Sequence, residues 1–97
     1  MVQIVENWAD IVGGVRDVAP APDLPGFVRA SVDLERAADV EGFRNLLADS
    51  SGTVVSVFVP SAVAEERGLR AGKRLVARAR KAGPGRTFVH PEHVEVH

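Results

Sequence analysis

Along most of this chain apolar and polar positions alternate, and where the alternation stops a glycine or a proline usually stands. From Phe27 to Ala37, Val28, Ala30, Val32 and Leu34 fall on one face of an extended segment. Arg29, Ser31, Asp33 and Glu35 fall on the other, which predicts a half-buried strand with one wet side. Asp10 to Val18 is an earlier extended candidate in which Ile11, Val12, Val15 and Val18 surround Gly13-Gly14, and paired glycines inside a strand predict a bulge or sharp coil. Gly52 to Val59 is the most β-branched run and ends at Pro60, as a central, well-buried strand would. Between Lys73 and Lys81, Leu75, Ala77 and Ala79 alternate with Arg74, Val76, Arg78 and Arg80. The last extended segment, Arg86 to Val96, contains His90-Pro91, and proline there predicts an edge or a break.

The intervening segments are short. Ala62 to Arg67, with Ser61 as N-cap, Glu65 and Glu66 in the early turns and Gly68 as terminator, predict a helix of about two turns. The Pro-rich piece Ala19 to Gly26 reads as a loop, residues 38 to 51 as a long loop with room for one helical turn, and Ala82-Gly83-Pro84-Gly85 as a turn. Three strands, one helix and two strands predict a mainly β fold, a five-stranded OB-fold-like small barrel with its helix between strands 3 and 4. An open five-stranded sheet with a helix on one face uses the same elements. No repeat or linker divides the 97 residues, so a single OB-like domain over 1–97 is expected.

Composition agrees with strands: of the 45% of residues that are hydrophobic, 17 are Val and 13 are Ala. The absence of cysteine excludes disulfides, thiolate zinc sites and cysteine nucleophiles. No apolar run approaches the ~20 residues of a membrane-spanning helix, and the N-terminus carries acids where a signal peptide wants lysines. A soluble, cytoplasmic protein is expected, and the Ala, Val and Arg usage suits a GC-rich bacterial genome.

The net charge of −1 hides a dipole, since residues 1–50 carry −5 and residues 51–97 carry +4, with all eight bases of the second half between Arg67 and Arg86. Arg74, Arg78 and Arg80 share one strand face, with Lys73 and Lys81 at its ends, and guanidiniums at multiples of ~6.6 Å along a strand can track phosphates. The competing expectation is an ion-pair ladder in which these arginines meet Asp33, Glu35 or carboxylates near the N-terminus. Nucleic-acid sites of this fold also need aromatic platforms. The five aromatics, Trp8, Phe27, Phe43, Phe58 and Phe88, are expected mostly in the core, with Trp8 as a barrel plug or a lid on the Pro-rich loop, or else as an exposed anchor.

Other candidates are weaker. His93, Glu95 and His97 alternate on the last strand, as ligands of a divalent ion would, but at a terminus with no assured supporting shell. Asp49 and Ser50-Ser51-Gly52 suit an anion nest or an ordinary polar loop. No nucleophile–base arrangement and no Gly-rich phosphate motif opening a helix is present, so a non-catalytic protein without a cofactor is expected.

The segment Val59-Pro60-x-x-Val63-Ala64-Glu65-x-x-Gly68-Leu69-x-x-Gly72, followed by Lys73-Arg74-Leu75-Val76-Ala77-Arg78, resembles the TOBE and Mop modules, small OB-type domains that bind molybdate or tungstate in bacteria. Asn7 ahead of Ile11-Val12-Gly13-Gly14-Val15 and Lys81-Ala82 at the end of the fourth strand extend the resemblance to residues 7–18 and 53–82. It implies an OB-type barrel and an oxyanion site near Asn7, Lys73 and Lys81. The chain departs from that family at Ile4-Val5-Glu6, where a serine and an arginine are usual, and at Gly83-Pro84, where a serine is usual. The expected function is a binding or accessory module for a small anion or a protein partner, including a second copy of itself or a partner docked on loop 38–51. Single-stranded nucleic acid along Arg74, Arg78 and Arg80 is the alternative, and no membrane partner is implied.

Overall fold

The computed structural model describes residues 6–97, so Ile4 and Val5 of the N-terminal motif lie outside the described residues. Five strands, β1 (Ala9–Pro20), β2 (Phe27–Asp39), β3 (Val54–Pro60), β4 (Arg74–Lys81) and β5 (Thr87–Val96), close into a barrel in the order β1-β2-β3-β5-β4. All pairings are antiparallel except β3 with β5. One helix, α1 (Ser61–Arg67), joins β3 to β4, which makes this an OB-fold-like small barrel and excludes the open-sheet alternative.

Closure depends on curvature at β1. The β1–β2 register shifts between Val12 and Gly13, and a Cβ on Gly13 would stand 2.4 Å from the Asp33 carbonyl oxygen. Gly14 has nothing within 4 Å, so only one of the paired glycines is demanded by close approach. The same strand runs on through Ala19 and Pro20, the latter paired with Val28, so the Pro-rich loop is shorter than its composition suggests. In β5, Val89 faces Ala79 while Val94 faces Ala77, so His90 to His93 bulge out of the ladder and Pro91 sits where its missing N–H is harmless. The β3–β5 contact is only two residue pairs long. The first half of β3 is therefore an edge, with Val54 half exposed, and the expectation of a wholly buried central strand holds only for Val57 to Val59.

The most deeply buried large side chains are aliphatic: Ile11, Leu34 and Leu75 with Val32, Val57 and Val59 fill the barrel, joined by small alanines, and Phe58 is buried beside them on β3 at 8% exposure. Helix α1 adds Ala64, with Leu69 just beyond it. Gly68 ends the helix in the left-handed region at φ 69°, and the Leu69 N–H returns to the Ala64 carbonyl at 2.9 Å, which seats Leu69 on the core. Ser61 is the first residue of the helix rather than its N-cap. Its N–H donates to the Gly26 carbonyl at 2.8 Å, and Pro60 occupies the cap position without a side-chain bond. Loop 40–53 holds one 3-10 turn at Ala48–Ser50, with Leu47 buried and Phe43 and Leu46 exposed.

Candidate functional site

The six residues singled out from sequence do not form one site. Asn7 is buried at 3% exposure, and its side-chain amide spans the backbone of Lys81, donating to the carbonyl at 2.8 Å and accepting from the N–H at 2.8 Å. It extends the β1–β4 ladder by one rung. Lys73 and Lys81 stand at opposite ends of β4, eight residues or ~26 Å apart, so these two cations and the Asn7 amide do not converge on a common anion. Arg74 donates to both carboxylate oxygens of Glu35, at 3.1 and 2.9 Å, and Arg78 donates to Asp10 at 2.9 Å. The hydrogen bond that Arg78 donates to Asp10 raises the Arg78 pKa above its usual value; desolvation opposes this and the Asp10 charge adds to it. Two thirds of the basic row are thus an ion-pair ladder, with Arg16–Asp33 a third pair on the neighbouring strands.

Arg80 is different. Among the described residues it makes no ion pair, and its register partner on β5 is Phe88. Phe88 is in turn opposite Phe58 on β3, with ring centroids 5.6 Å apart, and Phe58 is opposite Arg29 on β2. Continuing the Ala9–Ala79 pairing by one residue sets Trp8 opposite Arg80 on the other flank. The outward positions of a single level of the barrel therefore read Arg29, Phe58, Phe88, Arg80, Trp8 across β2, β3, β5, β4 and the start of β1. Four strand-to-strand steps make this belt ~19 Å long.

Side chains one level away reinforce it. Phe27 meets Phe88 edge to face at 5.7 Å, Arg86 lies over the Phe58 ring at 5.5 Å, and His90 packs on Trp8 at 5.3 Å. Two clefts open along the belt. One, of about 440 Å³, brings Arg29 and Arg86 together beside Phe58, Asp23 and Pro22 of the β1–β2 loop. The other, of about 490 Å³, is walled by Trp8, Phe27, Phe88, Pro60 and Pro91, with Arg80 and His90 as its polar members.

The chain matches no protein-family model and, by sequence, no curated protein. The face itself carries the functional reading.

Two expectations are corrected here. The core takes one aromatic and not most of them: Phe58 is buried at 8% exposure, Trp8, Phe27 and Phe88 are half-buried along the outer clefts, and Phe43 is exposed. Trp8 is not a plug inside the barrel: it is half-buried, packs on His90 and lines an outer cleft with Phe27 and Phe88. Alternation along each strand already placed Phe58 beside buried Val57 and Val59, and Phe88 beside Thr87 and Val89, so both phenylalanines pointed outward. Only the β3–β5 register, a non-local pairing, brings them together.

The remaining candidates have structural roles. His90 and His93 rings touch at 4.6 Å, whereas His97 lies just past the end of β5 and exchanges two backbone bonds of 2.9 Å with Arg74. No cluster of three metal-ligating side chains occurs among the described residues. In the 49–52 segment the Ser50 and Gly52 N–H groups donate to the Leu47 and Leu34 carbonyls, as in a polar loop. A third and larger cleft, about 730 Å³, lies two residues along β1 and β4 from the belt; it sets Arg36, Arg67 and Arg78 against Asp10, Asp39, Glu92 and Glu95 and contains no Phe or Trp.

Proposed function

We propose that this protein is a non-catalytic OB-fold binding module whose ligand is single-stranded nucleic acid, held on the Arg29–Phe58–Phe88–Arg80–Trp8 belt. The observation that carries the reading is the coincidence of all but one of the aromatics with three arginines, Arg29, Arg80 and Arg86, that have no acidic partner among the described residues. Single-strand binding by this fold combines guanidiniums that meet phosphates with rings on which bases stack, and the stack contributes about 1–3 kcal/mol per base. A belt of ~19 Å matches the short end of the ~4 to 16 nucleotides that one OB-fold covers. The larger mixed-charge cleft offers neither net positive charge nor a ring. The near-zero net charge is compatible with this reading, because the belt's two clefts hold Arg29, Arg80 and Arg86 against a single carboxylate, Asp23, and are locally basic.

Titrating the protein with a fluorescein-labelled eight-nucleotide single strand at low salt tests this. Trp8 is the sole tryptophan and its emission is expected to quench as a base stacks on it. Three phosphate contacts give a slope of log K against log salt of about −2, and Phe88→Ala is expected to weaken binding about tenfold. Absence of binding at low salt removes the proposal.

A further inference from the structure

Arg29 and Arg86 converge on one ring. Arg29 is the register partner of Phe58 across β2 and β3, so the two side chains leave the barrel on the same face with Cβ atoms ~5 Å apart. Arg86 comes off the β4–β5 turn, and its guanidinium carbon stands 5.5 Å from the centre of the Phe58 ring. The turn fixes its backbone: the Ala82 N–H donates to the Arg86 carbonyl at 2.7 Å, and the Arg86 N–H donates to the Gly83 carbonyl at 3.1 Å. Among the described residues neither arginine makes an ion pair, whereas Arg16, Arg74 and Arg78 each meet a carboxylate oxygen at 2.9 Å. The one carboxylate at their shared cleft, Asp23 of the β1–β2 loop, is paired with neither. Strand register and a closed turn thus hold two like charges at one ring with no counter-charge between them.

We propose that Arg29 and Arg86 form a subsite for a dianionic phosphate group, supplied by the phosphomonoester at one end of a strand lying on the belt. The strand as the source of the phosphate rests on the single-strand reading; the subsite itself does not, since inorganic phosphate presents the same chemistry. An internal phosphodiester carries one negative charge, while a terminal phosphate carries about −1.5 to −2 at neutral pH on three acceptor oxygens. Two guanidiniums, each able to meet phosphate oxygens through a pair of N–H groups, match the terminal group and leave one cation over for the internal one. The position agrees. Beyond Arg29 the same level of the barrel passes to Ala19 of β1, which has neither a ring nor a charge, so the belt stops at this subsite.

Calorimetric titration with unlabelled eight-nucleotide strands, phosphorylated at the 5′ end, at the 3′ end or at neither, tests the subsite. Phosphate at one of the two ends is expected to tighten binding about tenfold, and at the other by less than about twofold. Arg29→Gln and Arg86→Gln are each expected to cut the gain to about twofold or less, whereas Arg80→Gln weakens every strand and keeps the gain. Asp23→Asn removes a charge of the same sign as the ligand and is expected to enlarge it. Between about pH 7.5 and about pH 5 the gain is expected to shrink, because the terminal phosphate takes up its second proton near pH ~6. Inorganic phosphate, added at constant ionic strength, is expected to compete away the gain while the unphosphorylated strand stays bound. No gain at either end, or equal gains at both, overturns the subsite and leaves the belt intact. Inorganic phosphate that binds alone as tightly as the phosphorylated strand overturns the strand end as the source. Failure of every strand, with inorganic phosphate still bound in an Arg29-dependent way, overturns the belt and leaves the subsite; failure of every ligand overturns both.

Discussion

At Asn7 a side chain does the work of a main chain. Its amide forms two 2.8 Å hydrogen bonds to the backbone of Lys81 at a buried position where β1 has not yet begun. The wall of the barrel at Trp8 and Arg80 hangs on that pairing. Removing it in Asn7→Ala leaves the N–H and C=O of Lys81 without these partners and is expected to destabilise the protein by about 1 kcal/mol in urea unfolding. Asn7→Asp keeps the acceptor but faces a carboxylate oxygen to the Lys81 carbonyl, so it is expected to cost at least as much. If Asn7→Ala unfolds at the wild-type midpoint, the rung has no structural weight. The two adjacent glycines give a sharper contrast. Gly13→Ala drives a methyl group into the Asp33 carbonyl and the Val32 side chain, with no flexible end that can swing away from the backbone. A loss of about 1–3 kcal/mol is expected from this overpacking. Gly14→Ala enters open space and is expected to be neutral or to stabilise by up to ~1 kcal/mol through the unfolded state. The sequence shows Gly13 and Gly14 as a pair and marks the bulge; which of them is indispensable depends on the approach of β2, which no local pattern encodes.

Among the elements, β4 carries two kinds of arginine on one face. Arg74 and Arg78 meet Glu35 and Asp10 on neighbouring strands, while Arg80, two residues on, meets a phenylalanine. Alternation places all three outward, and that much is legible from the sequence. What distinguishes them is the cross-strand neighbour, and neighbours follow from a closed register in which β4 lies between β1 and β5. The same cause explains the aromatics. A count of five rings in 97 residues suggested that the core would need most of them, but a five-stranded barrel is narrow enough for Val, Leu, Ile and Ala to fill, and of the rings only Phe58 is buried. In an oligonucleotide titration Arg74→Ala and Arg78→Ala are expected to change affinity by less than about twofold, and Arg80→Ala to weaken it about fivefold or more, since only a cation without a carboxylate partner releases counterions on binding. Equal losses at all three positions would return the binding surface to the basic strand as a whole.

For the whole molecule, strand order and helix position follow from the pattern of alternation, glycine and proline, because each element is defined locally. Function is a property of the closed barrel, in which β3 and β5, separated by a helix and a strand in sequence, bring Phe58 against Phe88 and complete a belt across five strands. No helix among the described residues is long and apolar enough to cross a membrane. The charge dipole between the two halves of the chain resolves, in three dimensions, into ion pairs on one part of the surface and unpaired arginines among rings on another. The most direct test is a residue-resolved map of the contact surface: two-dimensional ¹⁵N–¹H NMR spectra during titration with an eight-nucleotide single strand. Amide and side-chain signals of Trp8, Phe27, Arg29, Phe58, Arg80, Arg86 and Phe88 are expected to shift together and saturate, while Asp10, Val12, Arg36 and Val76 stay within the uncertainty of their starting positions. Shifts centred on Asp10 and Arg78, or a spectrum indifferent to the oligonucleotide, would contradict the assignment of this belt as the binding face.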